Sequence, residues 1–178
     1  LNYLSNLLLD ATGLPRDSRA LYRSALRQAL HRLAREQHGK LGGRCMPAEN
    51  LHLTLAFLGD TPLETIPAIL ELLETRPLPA CTLSLDKIGA FHGGIVWAGC
   101  EAVPPTLTDW VAELRAGLGL REIAFDNQAL CAHVTLLKKA QPTSATITPA
   151  LEWRIDRARL YVSRATAHGP ASAEANIT

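Results

Sequence analysis

The chain has 178 residues, 47% hydrophobic and 20% charged, the composition of one folded domain with a sizeable core rather than of a disordered tail. Eighteen Lys and Arg against seventeen Asp and Glu leave a formal charge of +1. That excludes a protein whose bulk charge drives it onto nucleic acid or anionic lipid, but not a small basic site.

In chain order, the apolar run Leu7-Leu8-Leu9 fits a short buried strand. Residues 15–39 follow with helical spacing: Tyr22, Leu26, Ala29, Leu30 and Leu33 share one face, Asp17 or Ser18 can cap, and Gly39 suits the stop. Residues 51–58 form a second strand. Thr61-Pro62-Leu63-Glu64 has the form of a capping box, and Pro67 inside the next helical pattern predicts a kink or a late start. Residues 82–88 and 95–100 read as two strands joined by the turn at His92-Gly93-Gly94. A third helix fits residues 106–118, with Leu107, Trp110, Val111, Leu114 and Leu118 inward. Strands are expected at 132–137 and 154–164, with residues 142–149 as a surface loop and the tail from His168 fraying. The βαβ cadence of a doubly wound sheet is missing, as is a phosphate-binding Gly loop. The expected class is α+β with mostly antiparallel sheet, as a single domain over residues 1–178.

No apolar run reaches membrane-spanning length, and the first residues lack the basic segment of a signal peptide, so a cytoplasmic protein is expected. Cys45, Cys81, Cys100 and Cys131 are scattered without ligand spacing, which predicts buried free thiols.

Two of the predicted strands carry nearly the same tetrapeptide: His52-Leu53-Thr54-Leu55 and, 81 residues later, His133-Val134-Thr135-Leu136. Alternate side chains of a strand share a face. Each strand therefore turns an apolar side to the core and a His-Thr pair the other way. Two imidazoles suit phosphodiester chemistry, because near neutral pH one can accept a proton while the other donates one. The Thr hydroxyls can donate to non-bridging phosphate oxygens. Such a site needs no metal or cofactor: one His activates water and the other protonates the departing ribose oxygen. A strained cyclic phosphodiester is the fitting substrate. Residue chemistry alone leaves the two roles interchangeable.

The segments Asn50-Leu51-His52-Leu53-Thr54-Leu55-Ala56-Phe57-Leu58-Gly59 and Ala132-His133-Val134-Thr135-Leu136-Leu137-Lys138 resemble the two signatures of the RNA 2',3'-cyclic phosphodiesterases, formerly 2'-5' RNA ligases, of the two-histidine phosphoesterase superfamily. The resemblance implies two pseudo-symmetric α+β lobes with outer helices and a central cleft. It implies hydrolysis of a terminal 2',3'-cyclic phosphate on RNA to a 2'-phosphomonoester, with reverse 2'-5' ligation chemically open. Under it His52 is the proton donor and His133 the proton acceptor, and Thr54 and Thr135 hold the phosphate. Lys138 stands where the family usually has Arg, keeping the charge but not the bidentate fork; Lys139 competes with it on strand parity. The implied partner is an RNA end, tRNA halves or fragments included, met by a monomer away from any membrane.

Other residues make weaker claims. Arg16, Arg19, Arg23 and Arg27 form a helical stripe read as a solvated face, and Arg154, Arg157, Arg159 and Arg164 are read likewise. Phe57, Trp97 and Trp153 are expected in the core. Three other readings compete: a diesterase for small cyclic nucleotides or ADP-ribose cyclic phosphate, an RNA-end-binding module without turnover, and a metallohydrolase. Two proton carriers argue against simple binding, and the lack of a carboxylate at ligand spacing argues against a metal.

Overall fold

The computed structural model describes the backbone of residues 3–10, 16–155, 157–166 and 169–174, and the side chains of residues 25–155 and 157–161. Its elements run β1 (Tyr3–Asp10), α1 (Arg16–Leu41), β2 (Arg44–Cys45), β3 (Thr54–Thr61), α2 (Ile66–Thr75), β4 (Cys81–Phe91), β5 (Ile95–Gly99), α3 (Pro105–Gly119), β6 (His133–Lys138), β7 (Ala145–Ile155), β8 (Arg157–Thr166) and β9 (Gly169–Glu174). Two antiparallel sheets result, one in the order β3-β1-β8-β9 and one in the order β2-β6-β5-β4-β7. This is the α+β, antiparallel architecture read from the sequence.

The sheets meet at the two motifs. Here β3 is the edge of its sheet, while β2, only two residues long, covers just the Leu137-Lys138 end of β6. The other end of β6 is left open, and an isolated antiparallel bridge joins Leu53 to Val134. Both bridging side chains are fully buried, so the core runs beneath the junction between the two sheets. On α1, Leu30 and Ala34 are buried where the helix packs against β6 and β2; α3 buries Leu107, Trp110, Val111, Leu114 and Leu118 as its spacing predicts.

Several local expectations are corrected. The Thr61 hydroxyl donates back to the Gly59 carbonyl at 3.2 Å, so the capping box does not form. The chain instead makes a 3₁₀ turn over Leu63–Thr65, and α2 starts late with Pro67 in its first turn, where a missing N–H costs nothing. Residues 145–149, expected as loop, belong to β7. Its edge position and the register shift opposite Leu85 and Lys87 let the ladder accept Pro149. The polar tail contributes β9 rather than fraying over Gly169–Glu174, because β8 offers it an edge. His168 and residues 175–178 lie outside the described residues, as do the side chains of Arg16, Arg19, Arg23 and Arg164. The four cysteines are free, but only partly sheltered: Cys131 is exposed and the other three half-buried.

Candidate active site

The bridge between Leu53 and Val134 sets the register of the two motifs. Continuing it in either direction places His52 opposite Thr135 and Thr54 opposite His133. With Leu53 and Val134 pointing into the core, all four motif side chains fall on the opposite face, each half-buried. Directly opposed Cβ atoms in such a pair lie about 4.5–5.5 Å apart, and diagonal neighbours about 7–8 Å. The two imidazoles occupy a diagonal, a spacing into which a phosphate fits.

Both imidazoles are held in the same way. His52 Nδ1 donates to the Asn50 carbonyl at 2.7 Å, and His133 Nδ1 donates to the Cys131 carbonyl at 2.7 Å. A carbonyl only accepts, so each Nδ1 carries the proton and each Nε2 remains for chemistry. His52 differs from the sequence expectation in one respect: it stands just before β3 rather than inside it. Burial lowers its pKa, opposed by the Asn50 carbonyl and reinforced by the neighbouring His133 and Lys138. The site thus brings His52, His133 and Lys138 within electrostatic reach of one another. Among the described residues neither Thr54 nor Thr135 spends its hydroxyl on another protein group.

Each motif ends in a β-bulge at the same place. On β3, Thr54 pairs with Leu8 and Ala56 with Leu7, so Leu55 is the extra residue. On β6, Thr135 pairs with Trp97 and Leu137 with Val96, so Leu136 is the extra residue. In both motifs it is the Leu after the Thr. A bulge puts two consecutive residues on one side, so parity flips beyond it. Leu55 and Ala56 are both buried, as are Leu136 and Leu137. The flip carries Phe57 and Lys138, each five positions after its motif His, onto the imidazole face. Lys138 is therefore on the side of His133, whereas Lys139 lies past the strand end with a left-handed φ of 56°.

The same flip corrects the expectation for Phe57, which is 45% exposed rather than buried. It lines a cavity of about 290 Å³ together with Thr54, His133, Phe91 and Arg115; His52, Thr135 and Lys138 stand outside that lining. The Phe91 ring meets His133 edge-on at 4.8 Å between centroids, and Trp97 lies 6.1 Å from the imidazole and 5.3 Å from Phe91. Trp97 is thus half-buried beside the site, while Trp153 is in the core as expected. Sequence reading missed Phe91 and Arg115. Phe91 had a signal in its place beside the Gly turn; Arg115, on a helix of otherwise ordinary amphipathicity, had none. Among the described residues no three His, Cys, Asp or Glu side chains cluster as metal ligands.

Residues 21–97 match the family model described as LigT like phosphoesterase. A curated RNA 2',3'-cyclic phosphodiesterase of Escherichia coli (strain K12) is 33% identical over 112 residues, which cover 62% of this chain and 64% of that protein. A protein of the same name from Archaeoglobus fulgidus is 29% identical over 131 residues, 69% of this chain and 72% of its own. The match thus spans just under two thirds of the length of the Escherichia coli relative. In fold, the chain superposes on the crystal structure of E. coli LigT complexed with 3'-AMP with a TM-score of 0.82 at 23% identity, covering 99% of this chain and 97% of that one.

Proposed function

We propose that this chain, similar to the LigT like phosphoesterases in sequence and in fold, is itself a metal-independent cyclic phosphodiesterase that opens the 2',3'-cyclic phosphate at an RNA end. The observation that carries the reading is the twin pinning of two imidazoles across one antiparallel bridge, each with Nδ1 on the carbonyl two residues upstream and Nε2 left for proton transfer. In the forward reaction His133 Nε2 takes a proton from water as its oxygen attacks phosphorus. The bond from phosphorus to O3' breaks, and His52 Nε2 supplies the proton that O3' needs. The product keeps the phosphate on O2'. Thr54, Thr135 and Lys138 hold the non-bridging oxygens, where negative charge grows in the transition state.

The depressed pKa of His52 bears on the donor role. Without substrate, burial and the neighbouring His133 and Lys138 disfavour its proton. A phosphate anion seated between the imidazoles reverses that field and favours the imidazolium. Both limbs of the pH profile belong to the imidazole pair, and the profile of kcat, which reports the complex, is therefore expected at higher pH than that of kcat/KM, which reports the free enzyme. Coinciding profiles, or the reverse order, count against an anion seated between the imidazoles.

The test of the proposal is a short RNA ending in 2',3'-cyclic phosphate, incubated with the protein in excess chelator. Turnover to a 2'-phosphomonoester unaffected by chelator is the expected result. No turnover sinks the reading, and turnover lost on chelation replaces it with metal chemistry.

A further inference from the structure

The two bulges are alike in sequence position but not in how their carbonyls are met. On β6, the Leu136 carbonyl accepts the Met46 backbone N–H at 2.8 Å, supplied by the chain leaving β2. On β3, an edge strand, no strand among the described residues lies outside the bulge. There the Leu55 carbonyl accepts a side-chain donor instead: the guanidinium of Arg115, reaching from α3 with an Nη2–O distance of 3.4 Å. The other arm of the same guanidinium donates to the Gln128 carbonyl at 2.6 Å.

Gln128 belongs to the segment that runs from the end of α3 into β6. That segment is stitched to β3 by the Asp126 N–H on the Phe57 carbonyl at 2.8 Å, and stiffened by the Gln128 N–H on the Asp126 carboxylate at 3.1 Å. It ends at Cys131, whose carbonyl fixes the His133 tautomer. Arg115 is half-buried and its Nε, fully buried, finds no acceptor among the described residues. The two carbonyl bonds are thus what compensate the desolvation of this cation.

We propose that Arg115 is a positioning residue that takes the place a neighbouring strand holds at the other bulge: one planar fork fixes the bulge after the first motif and the segment leading into the second. Through the bulge it sets Thr54 and Phe57; through Gln128 it sets the Cys131 carbonyl and hence His133. A displacement of about 1 Å at a reacting group costs up to about a hundredfold in rate. Arg115 touches no reacting atom itself.

The experiment compares Arg115→Ala, Arg115→Lys and the control Arg121→Ala by two readouts. One is turnover of the RNA 2',3'-cyclic phosphate, which rests on the proposed function. The other is the pair of imidazole Nδ1–H resonances in ¹⁵N-histidine-labelled protein, which does not. Arg115→Ala is expected to lower kcat about ten- to a hundredfold while KM stays within about threefold. Its His133 resonance exchanges faster or broadens, that of His52 persists, and added guanidinium ion restores part of the rate. Arg115→Lys restores little, since an ammonium lacks the fork, and Arg121→Ala matches wild type. Wild-type kcat with an unchanged His133 resonance overturns the proposal. So does joint loss of both resonances with a fallen Tm and no guanidinium rescue, which marks a merely structural residue. If Arg115→Ala does not fold, Arg115→Lys decides by the same two readouts. If wild-type protein leaves the RNA untouched, the proposed function falls, and the His133 resonance alone decides the role of Arg115.

Discussion

The two motif histidines share one hydrogen-bonding pattern yet differ in environment, and the difference can be measured. Lys138 is one of the charges that lower the pKa of His52, after burial and His133. Replacing it by Ala removes a positive neighbour, so the His52 pKa is expected to rise, read as a shift in the NMR titration of its ring protons. Lys139→Ala, beyond the strand end, is expected to leave that titration in place. For turnover, Lys138→Ala raises KM for the cyclic phosphate about tenfold, the order of one charge-assisted hydrogen bond of about 1.5 kcal/mol, and Lys139→Ala does not. Equal effects of the two substitutions contradict the placement given by the bulge.

At the scale of elements, the bulge is what strand parity leaves out. Alternation reads His52 with Thr54 and His133 with Thr135 correctly, because those pairs lie on one side of the irregularity. It then misplaces Phe57 into the core and leaves Lys138 and Lys139 competing. Nothing in Leu55 or Leu136 announces an extra residue, since Leu is at home in a ladder or a bulge. The unbroken apolar run Leu55-Ala56-Phe57-Leu58 is the one local hint that alternation fails. Helix faces were legible because burial follows the 3.6-residue period over several turns. The extent of β7 and β9 was not, because both owe their form to partner strands distant in sequence.

The β4–β5 hairpin carries a prediction of its own. Trp97 lies flat across Gly89, where an added methyl group would overlap the indole, and it also borders Gly99. The indole borders His133 and Phe91 as well. Gly89→Ala therefore pushes Trp97 toward the site. A shift in tryptophan emission is expected with a fall in kcat that exceeds tenfold, the order of a sub-ångström to 1 Å displacement of a catalytic group. Full activity with unshifted emission refutes the wall of aromatic rings as a support for His133.

For the whole molecule, net charge and the site together predict a weak dependence on salt. The +1 total averages a first forty residues with seven basic and three acidic groups over acidic middle segments. Among the described residues no helix is long and apolar enough to cross a membrane. An RNA end held by one phosphate site engages roughly one or two phosphates. The slope of log(kcat/KM) against log salt is then about −1, on the order of −0.7 per phosphate contact for a single strand. A slope of several units would instead reveal a long basic track along the RNA backbone. Stability also carries a sign. His52 titrates lower in the folded chain than unfolded, so between those two values the unfolded chain holds more protons. Its contribution is present above the unfolded value near 6.5 and is lost as pH falls through that window. Denaturant midpoints are expected to drop on acidification there, and to drop less in His52→Ala.

Whether two pinned imidazoles open a cyclic phosphate between them is decided by single-turnover rates of wild type, His52→Ala and His133→Ala on one RNA 2',3'-cyclic phosphate, with the product identified by ³¹P NMR. Wild type is expected to give a 2'-phosphomonoester, and each variant a rate at least about a hundredfold lower, the usual worth of a general acid or base. A wild-type rate in either variant, or a 3'-phosphomonoester as product, contradicts that chemistry.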